Sequence, residues 1–151
     1  MRVPKPRESD IQNACRAVLE AFGCRVERRN TGSWTPSGGG KRRVVRFGEV
    51  GAADLFGCLP NGRHFELEIK RPGATPRLEQ VRWLRNANRW APAFWVDDAG
   101  ELERILPALI DGAGVSYLPN PWRFRVKVAL PGGSTAHWIS EPGGDYDVKY
   151  Q

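Results

Sequence analysis

Three ionisable side chains, Glu66, Glu68 and Lys70, alternate with Phe65, Leu67 and Ile69 along the stretch His64–Arg71. In an extended chain that period of two puts the charged set on one face and the apolar set on the other. Taken alone, such a row reads as the solvated edge of a hairpin. Asp54 shifts the balance. It opens the preceding stretch, Asp54–Leu59, and the intervening Asn61-Gly62 is a strong hairpin signal. Pairing centred on that turn brings Asp54 beside Glu68 at one end of the hairpin. Two converging carboxylates make a hard-oxygen site suited to Mg²⁺ or Mn²⁺. Lys70, on the same face, is then within reach of a phosphate oxygen. A third acid, Glu8, lies three residues before Ile11 and so continues the apolar stripe of the first helix. A carboxylate on a core-facing stripe is costly unless paired or metal-bound; the plainer reading is an acid favoured by the helix dipole.

The elements that must position these residues follow from periodicity. Ile11, Cys15, Val18, Leu19 and Phe22 recur at helical spacing over Glu8–Phe22, which Gly23 closes. Cys24–Asn30 reads as a short strand, TGSWTPSGGG (31–40) as a mobile loop, and VVRF (44–47) as a second strand. After the hairpin, a helix is expected from about Pro76 to Trp90, with Thr75 as N-cap and Pro76 at the first helical position. Its stripe is Leu78, Val81, Leu84 and Trp83, and Trp83, Trp90 and Trp95 read as core. Ala93–Val96 is a buried strand candidate and Gly100–Ile110 a helix. Trp122–Leu130 and Thr135–Ser140, joined by PGGS, read as a C-terminal β-hairpin. The order is that of an α/β or α+β layer fold, helices packed on a central sheet.

The chain of 151 residues is long enough for one self-sufficient core. Its 40% hydrophobic content and mean hydropathy of −0.49 fit an ordinary soluble domain, with no apolar run of bilayer length. MRVPKPRESD has two prolines and no apolar core, which argues against a secretory signal. Cys15, Cys24 and Cys58 are odd in number and lack zinc-like spacing with His64 or His137, so reduced thiols and a cytoplasmic setting are expected. Net charge is +6, and all of the excess lies in residues 1–50, with 11 basic and 5 acidic side chains. Localised positive charge points to a polyanion, with nucleic acid the leading candidate.

The ordered words of the sequence carry a specific resemblance. Asp54, Glu68 and Lys70 look like the PD-(D/E)XK nuclease signature. Glu8 opening a helix, Arg29-Asn30-Thr31-Gly32, Gly48-x-x-Gly51-x-x-Asp54-Leu55, Glu68-Ile69-Lys70-Arg71-Pro72-Gly73, and Thr75-Pro76 followed by Gln80-x-x-Trp83-Leu84 resemble the VRR-NUC domain, the virus-type replication-repair nuclease. The resemblance covers residues 7–106 and leaves 107–151 as an extension carrying the β-hairpin. It implies a PD-(D/E)XK restriction-endonuclease-like core, a mixed central sheet flanked by helices. It further implies that Asp54, Glu68 and the backbone carbonyl of Ile69 hold Mg²⁺ or Mn²⁺, with Glu8 completing the shell directly or through water. Lys70 would orient or activate the attacking water, and Gln80 would support the site. Ala53 stands where the family has a proline-like position.

The function expected is metal-dependent, structure-selective cleavage of DNA, in its sharpest form by a homodimer resolving Holliday junctions. Arg28, Arg29, Asn30, Lys41, Arg42, Arg43, Arg46 and Arg71 are candidate DNA contacts, and Trp34 could stack on an unpaired base. Trp122, Phe124, Val126 and Val128 are candidates for the dimer surface, or else simply extend the core. Two rivals remain: a non-catalytic nucleic-acid-binding module on a nuclease scaffold, and a restriction- or mismatch-type endonuclease reading bases through the 31–47 loop.

Overall fold

The computed structural model describes residues 3–29, 32–34, 45–47 and 51–140, the two short internal stretches by their backbone. The stripe Ile11, Cys15 and Leu19 buries one face of the first helix, α1 (Glu8–Ala21), which ends where Gly23 adopts φ +83°. Strand β1 (Arg25–Arg28) follows. Part of the expected loop is a strand instead: β2 (Gly32–Trp34) pairs antiparallel with β3 (Val45–Phe47), placing Ser33 opposite Arg46. The rest of 31–44 lies outside the described residues.

The hairpin forms at its turn signal, but with residues 59–63 rather than two residues between the paired strands. β4 (Leu55–Cys58) and β5 (His64–Ile69) pair antiparallel with Leu55 opposite Leu67, a register that carries Asp54 to the level of Glu68. Asn61 does more than turn the chain, because its amide donates to the carbonyls of Leu109 and Ile110 at 3.2 and 2.7 Å. Close approach decides Gly57: a Cβ there would lie 1.8 Å from the Arg25 carbonyl oxygen of the neighbouring strand.

Helix α2 (Leu78–Ala87) starts later and ends earlier than the spacing suggests. Arg77, extended at φ −66° and ψ 158°, is the N-cap residue, and its amide is satisfied by the Gln80 side chain at 2.8 Å, which displaces Thr75 from that role. Val81 and Leu84 are fully buried, whereas Leu78 is 44% exposed and Trp83 half-buried. Trp90 lies beyond the helix and is 76% exposed, stacked under Arg89, so it is no part of the core; Trp95 is.

Strand β6 (Ala93–Val96) pairs parallel with β5, giving a mixed four-stranded sheet of order β1-β4-β5-β6. Helix α3 (Ala99–Ile110), N-capped by Asp98, packs on α1. The Glu68–Gln80 contact puts α2 over the charged face of β5, and α1 touches β5 from the other side. Phe65, Leu67 and Ile69 point to that other side by alternation. The sheet is therefore covered on both faces, and Glu66 and Glu68 are buried rather than forming a solvated edge.

The C-terminal hairpin is one strand larger than expected. β7 (Val115–Tyr117), β8 (Phe124–Ala129) and β9 (Thr135–Ile139) form a second, antiparallel sheet. Three residues after a glycine-rich stretch are too short for alternation to reveal β7. This sheet joins the common core: Phe124, Val126, Val128 and Trp138 pack with Phe94 and Leu106 in one apolar cluster. Phe124, Val126 and Val128 are buried within the chain, so of the two readings they take that of extending the core and not that of a dimer surface. Trp122 is half-buried and its indole donates to the Pro76 carbonyl at 2.9 Å. No helix among the described residues is long and apolar enough to cross a membrane.

Because the two sheets share a core, Phe124→Ala is expected to cost about 3–5 kcal/mol. Denaturant unfolding of the whole chain should show one transition moved to lower midpoint; a detachable hairpin would leave the midpoint of the main transition unchanged.

Candidate active site

Asp54 lies just before β4, Glu68 on β5 and Lys70 just after β5. The register of the hairpin is completed by the Asp54 side chain itself, whose Oδ2 accepts from the Ile69 amide at 3.0 Å. The carboxylate is thereby tied to the end of β5. Glu68 is 2% exposed; its Oε1 accepts from Gln80 Nε2 at 2.7 Å and lies 3.3 Å from Lys70 Nζ. Gln80 has no freedom in this exchange. Its Oε1 accepts from the Arg77 amide, so its NH₂ must face Glu68. One side chain thus caps a helix and orients a carboxylate.

The remaining Glu68 oxygen, Oε2, is buried and has no hydrogen-bond partner. Burial, and then the neighbouring Asp54 carboxylate, push the Glu68 carboxyl from 4.5 up to about 8, with Glu8 adding in the same direction and Lys70 opposing. A buried acid short of positive partners holds its proton near neutrality.

Around this pair lies a cleft of about 340 Å³ lined by Glu8, Gly51, Asp54, Glu68, Lys70 and Gln80, with Arg77 at its wall. Glu8 reaches it from the first turn of α1, but the expectation that it continues the buried stripe is incorrect. Burial of that face begins at Ile11, and the residues ahead of α1 leave Glu8 exposed. Among the described residues no three His, Cys, Asp or Glu side chains gather closely enough to hold a metal by themselves. The residues that would hold a divalent ion are the carboxylates of Asp54, just before β4, and Glu68, on β5, with backbone carbonyl oxygens as further hard donors. The orphaned Oε2 fits such an ion, since a cation would satisfy a buried oxygen that nothing in the chain satisfies.

Gly51 shapes the same cleft. It holds φ +82°, and a Cβ there would come within 2.8 Å of the Glu79 carbonyl oxygen. The turn ahead of Asp54 can therefore abut the start of α2 only with glycine present. Gly51 was legible as part of a turn, whereas its contact with α2 was not. Arg77 was not foreseen at the site at all, and no motif in the sequence marks it.

Arg29 has a different office from the one its type suggests. Its guanidinium makes a two-pronged ion pair with buried Glu66, at 2.7 and 3.0 Å, and also donates to the Ala53 carbonyl at 3.0 Å. It lies over the rings of Phe56 and Trp83, 4.6 and 5.0 Å from their centroids. Together with the Arg29 amide, which bonds the Asp54 carbonyl at 2.8 Å, these contacts brace the backbone on either side of the Asp54 Cα. The Arg29 guanidinium is thus engaged within the fold, by Glu66 and the Ala53 carbonyl. His64, half-exposed, contacts the other side of Glu66 at 2.8 Å. Arg28 and Arg71 are exposed. Trp34 and Arg46 lie on the β2–β3 ribbon, while Asn30, Lys41, Arg42 and Arg43 fall outside the described residues.

No family model matches the chain, and no curated protein or solved structure matches it either.

Two measurements follow from the charges. The raised carboxyl of Glu68 holds a proton in the folded state that the unfolded chain releases near 4.5. Its contribution to stability is complete below that value and is lost as pH rises through about 8. In EDTA, wild-type stability should fall across this window relative to Glu68→Gln, which cannot ionise; parallel pH profiles for the two would show that Glu68 is not the titrating group. Separately, Arg29→Ala leaves Glu66 buried without its partner and should cost about 3–5 kcal/mol. Most of that should return in Arg29→Ala/Glu66→Gln, read by urea unfolding; equal stability of single and double variants would deny the pair its coupling.

Proposed function

We propose that this chain is a divalent-metal-dependent DNA endonuclease, a VRR-NUC-like member of the PD-(D/E)XK superfamily acting on branched DNA. The observation that carries the reading is the Glu68 carboxylate, buried beside Asp54 with one oxygen held by Gln80 and Lys70 and the other bare. Leaving a buried acceptor unsatisfied costs about 1–3 kcal/mol, more for a charged group. A site retained at that cost suits a ligand that the chain itself does not provide. Asp54 and Glu68 would hold Mg²⁺ or Mn²⁺, with the Ile69 carbonyl and Glu8 as further donors, Glu8 directly or through water. When bound, such an ion neutralises phosphate charge and lowers the pKa of water.

The chain's own residues supply the rest. Gln80 fixes the Glu68 rotamer through a hydrogen bond that its capping role makes one-directional. The Ile69 amide holds Asp54, and the Arg29 brace keeps the strand beneath it from shifting. Lys70, largely buried and leaning on Glu68, offers a fixed positive charge where phosphate oxygens gather charge during in-line attack. Because it approaches the same cleft as the two acids, it can also orient water against the phosphorus. The mixed sheet, with α1 on one face and α2 on the other, is compatible with the nuclease core that the sequence resembles. Arg28 and the 30–46 segment would grip the backbone away from the chemistry. A homodimer working on a four-way junction is the sharpest form of the reading. Its contact would come from a surface other than the interior β8 side chains.

Purified protein should nick labelled flap and four-way-junction DNA with Mg²⁺ or Mn²⁺ and not in EDTA. Asp54→Ala should abolish cleavage, and Lys70→Ala should slow it by about 10²–10³-fold. Paired symmetric nicks confined to the junction would select the resolvase. Cleavage indifferent to Asp54→Ala, or none with any metal, would end the nuclease reading.

A further inference from the structure

Beside the carboxylates lies a wider cleft with a charge of its own. It is about 870 Å³ in volume, and it shares Glu8 and Lys70 with the smaller one. One wall is the segment Lys5–Arg7 ahead of α1, and the other is the turn that begins at Arg71. Lys5, Arg7 and Arg71 are all exposed, and among the described residues none has a carboxylate partner. Arg16, Arg25 and Arg77 pair with Glu20, Glu27 and Glu79, whereas exposed Arg28, Arg82, Arg104 and Arg125 have no ion pair among the described residues either, so it is their place beside the acids that sets these three apart.

Like charges across a cleft repel, so something must hold the walls in place. Arg7 is fixed by its amide, which donates to Asp10 Oδ2 at 2.9 Å, and by its carbonyl, which accepts from Asp10 and Ile11. On the opposite wall the Arg71 carbonyl accepts from Ala74 at 3.0 Å. The Gly73 amide next to it donates to buried Asp97 at 3.0 Å. Both walls are thus set by backbone hydrogen bonds, whether or not anything lies between them. A preformed concavity lined by one sign of charge concentrates a ligand of the other.

We propose that this cleft is the track for the DNA strand being cut, with Lys5, Arg7 and Arg71 binding the phosphates that flank the scissile one. The inference rests on the nuclease reading and identifies where its substrate lies. It answers a need of that site. The Asp54 and Glu8 carboxylates repel a polyanion, and Lys70 is already engaged by Glu68. Cations without partners next to the acids supply the grip that the acids deny.

The test is fluorescence anisotropy of the full chain with labelled single-stranded and four-way-junction DNA in EDTA, over a salt series. The triple variant Lys5→Ala/Arg7→Ala/Arg71→Ala is compared with Arg104→Ala/Lys127→Ala, on the groove between α3 and β8. All three substituted residues are exposed, so the unfolding midpoint should match wild type. Affinity should fall at least tenfold in the triple variant, and the slope of log K against log salt should become shallower by about 2–3. The control pair should bind as wild type does. Wild-type affinity and slope in the triple variant, or a loss no greater than in the control, overturns the track. If that variant still cuts DNA with metal, the nuclease reading stands alone. Conversely, the expected loss of binding in a chain that never cleaves removes the nuclease and with it the track for a cut strand, leaving only a DNA-binding cleft. Binding of inorganic phosphate with no binding of DNA makes the cleft a small-anion site and overturns the proposal.

Discussion

A carboxylate taken out of water must keep its proton or find positive partners, and β5 carries two such carboxylates on one face. Glu66 and Glu68 are two residues apart, both buried under α2, and the chain treats them oppositely. Glu66 receives a guanidinium on both oxygens and is neutralised within the fold. Glu68 receives an amide and an ammonium on one oxygen, faces another acid, and keeps its second oxygen bare. The same strand thus holds one acid neutralised inside the fold and one with an oxygen that nothing in the described residues satisfies. The difference lies in what β1 and α2 bring to each.

That distinction bears on how far the sequence could be read. Asn61-Gly62 and the alternation of β5 were enough to place a hairpin there and bring Asp54 near Glu68, but the register comes from the longer turn, residues 59–63, that joins the strands. Alternation said which residues share a face, but not that the face would be roofed. The roof is α2, and only packing reveals it. Arg29 illustrates the same limit: its type suggests a phosphate contact, and its partner Glu66 is 37 residues away. Glu8 was assigned by extrapolating a helical stripe past the point where anything covers it. Strand β7 was too short to show a period, and β2 was hidden among residues chosen for turns.

The second sheet changes what the last third of the chain is for. Trp138 donates to Glu101 at 2.6 Å from β9, the Tyr117 hydroxyl donates to the Ala93 carbonyl, and the Trp95 indole donates to the Trp122 carbonyl. These bonds reach α3 and β6 from outside the region that resembles a nuclease. β6 in turn holds β5 in parallel register, and Asp97 at its end fixes the Gly73 turn. Sequence beyond the motifs therefore shapes the ground on which they stand.

Gln80 belongs at once to a helix terminus and to a carboxylate, and this makes α2 a listener as well as a support. A hydrogen bond to an ionised acceptor is stronger than one to its neutral form. Any event that strips the proton from Glu68 tightens the amide's hold, and any event that draws the carboxylate away loosens it. The first turn of the helix then frays or firms with the charge state of an acid it does not contain. Amide hydrogen exchange over residues 78–82 becomes a spectator's record of that charge, legible without a substrate and without turnover.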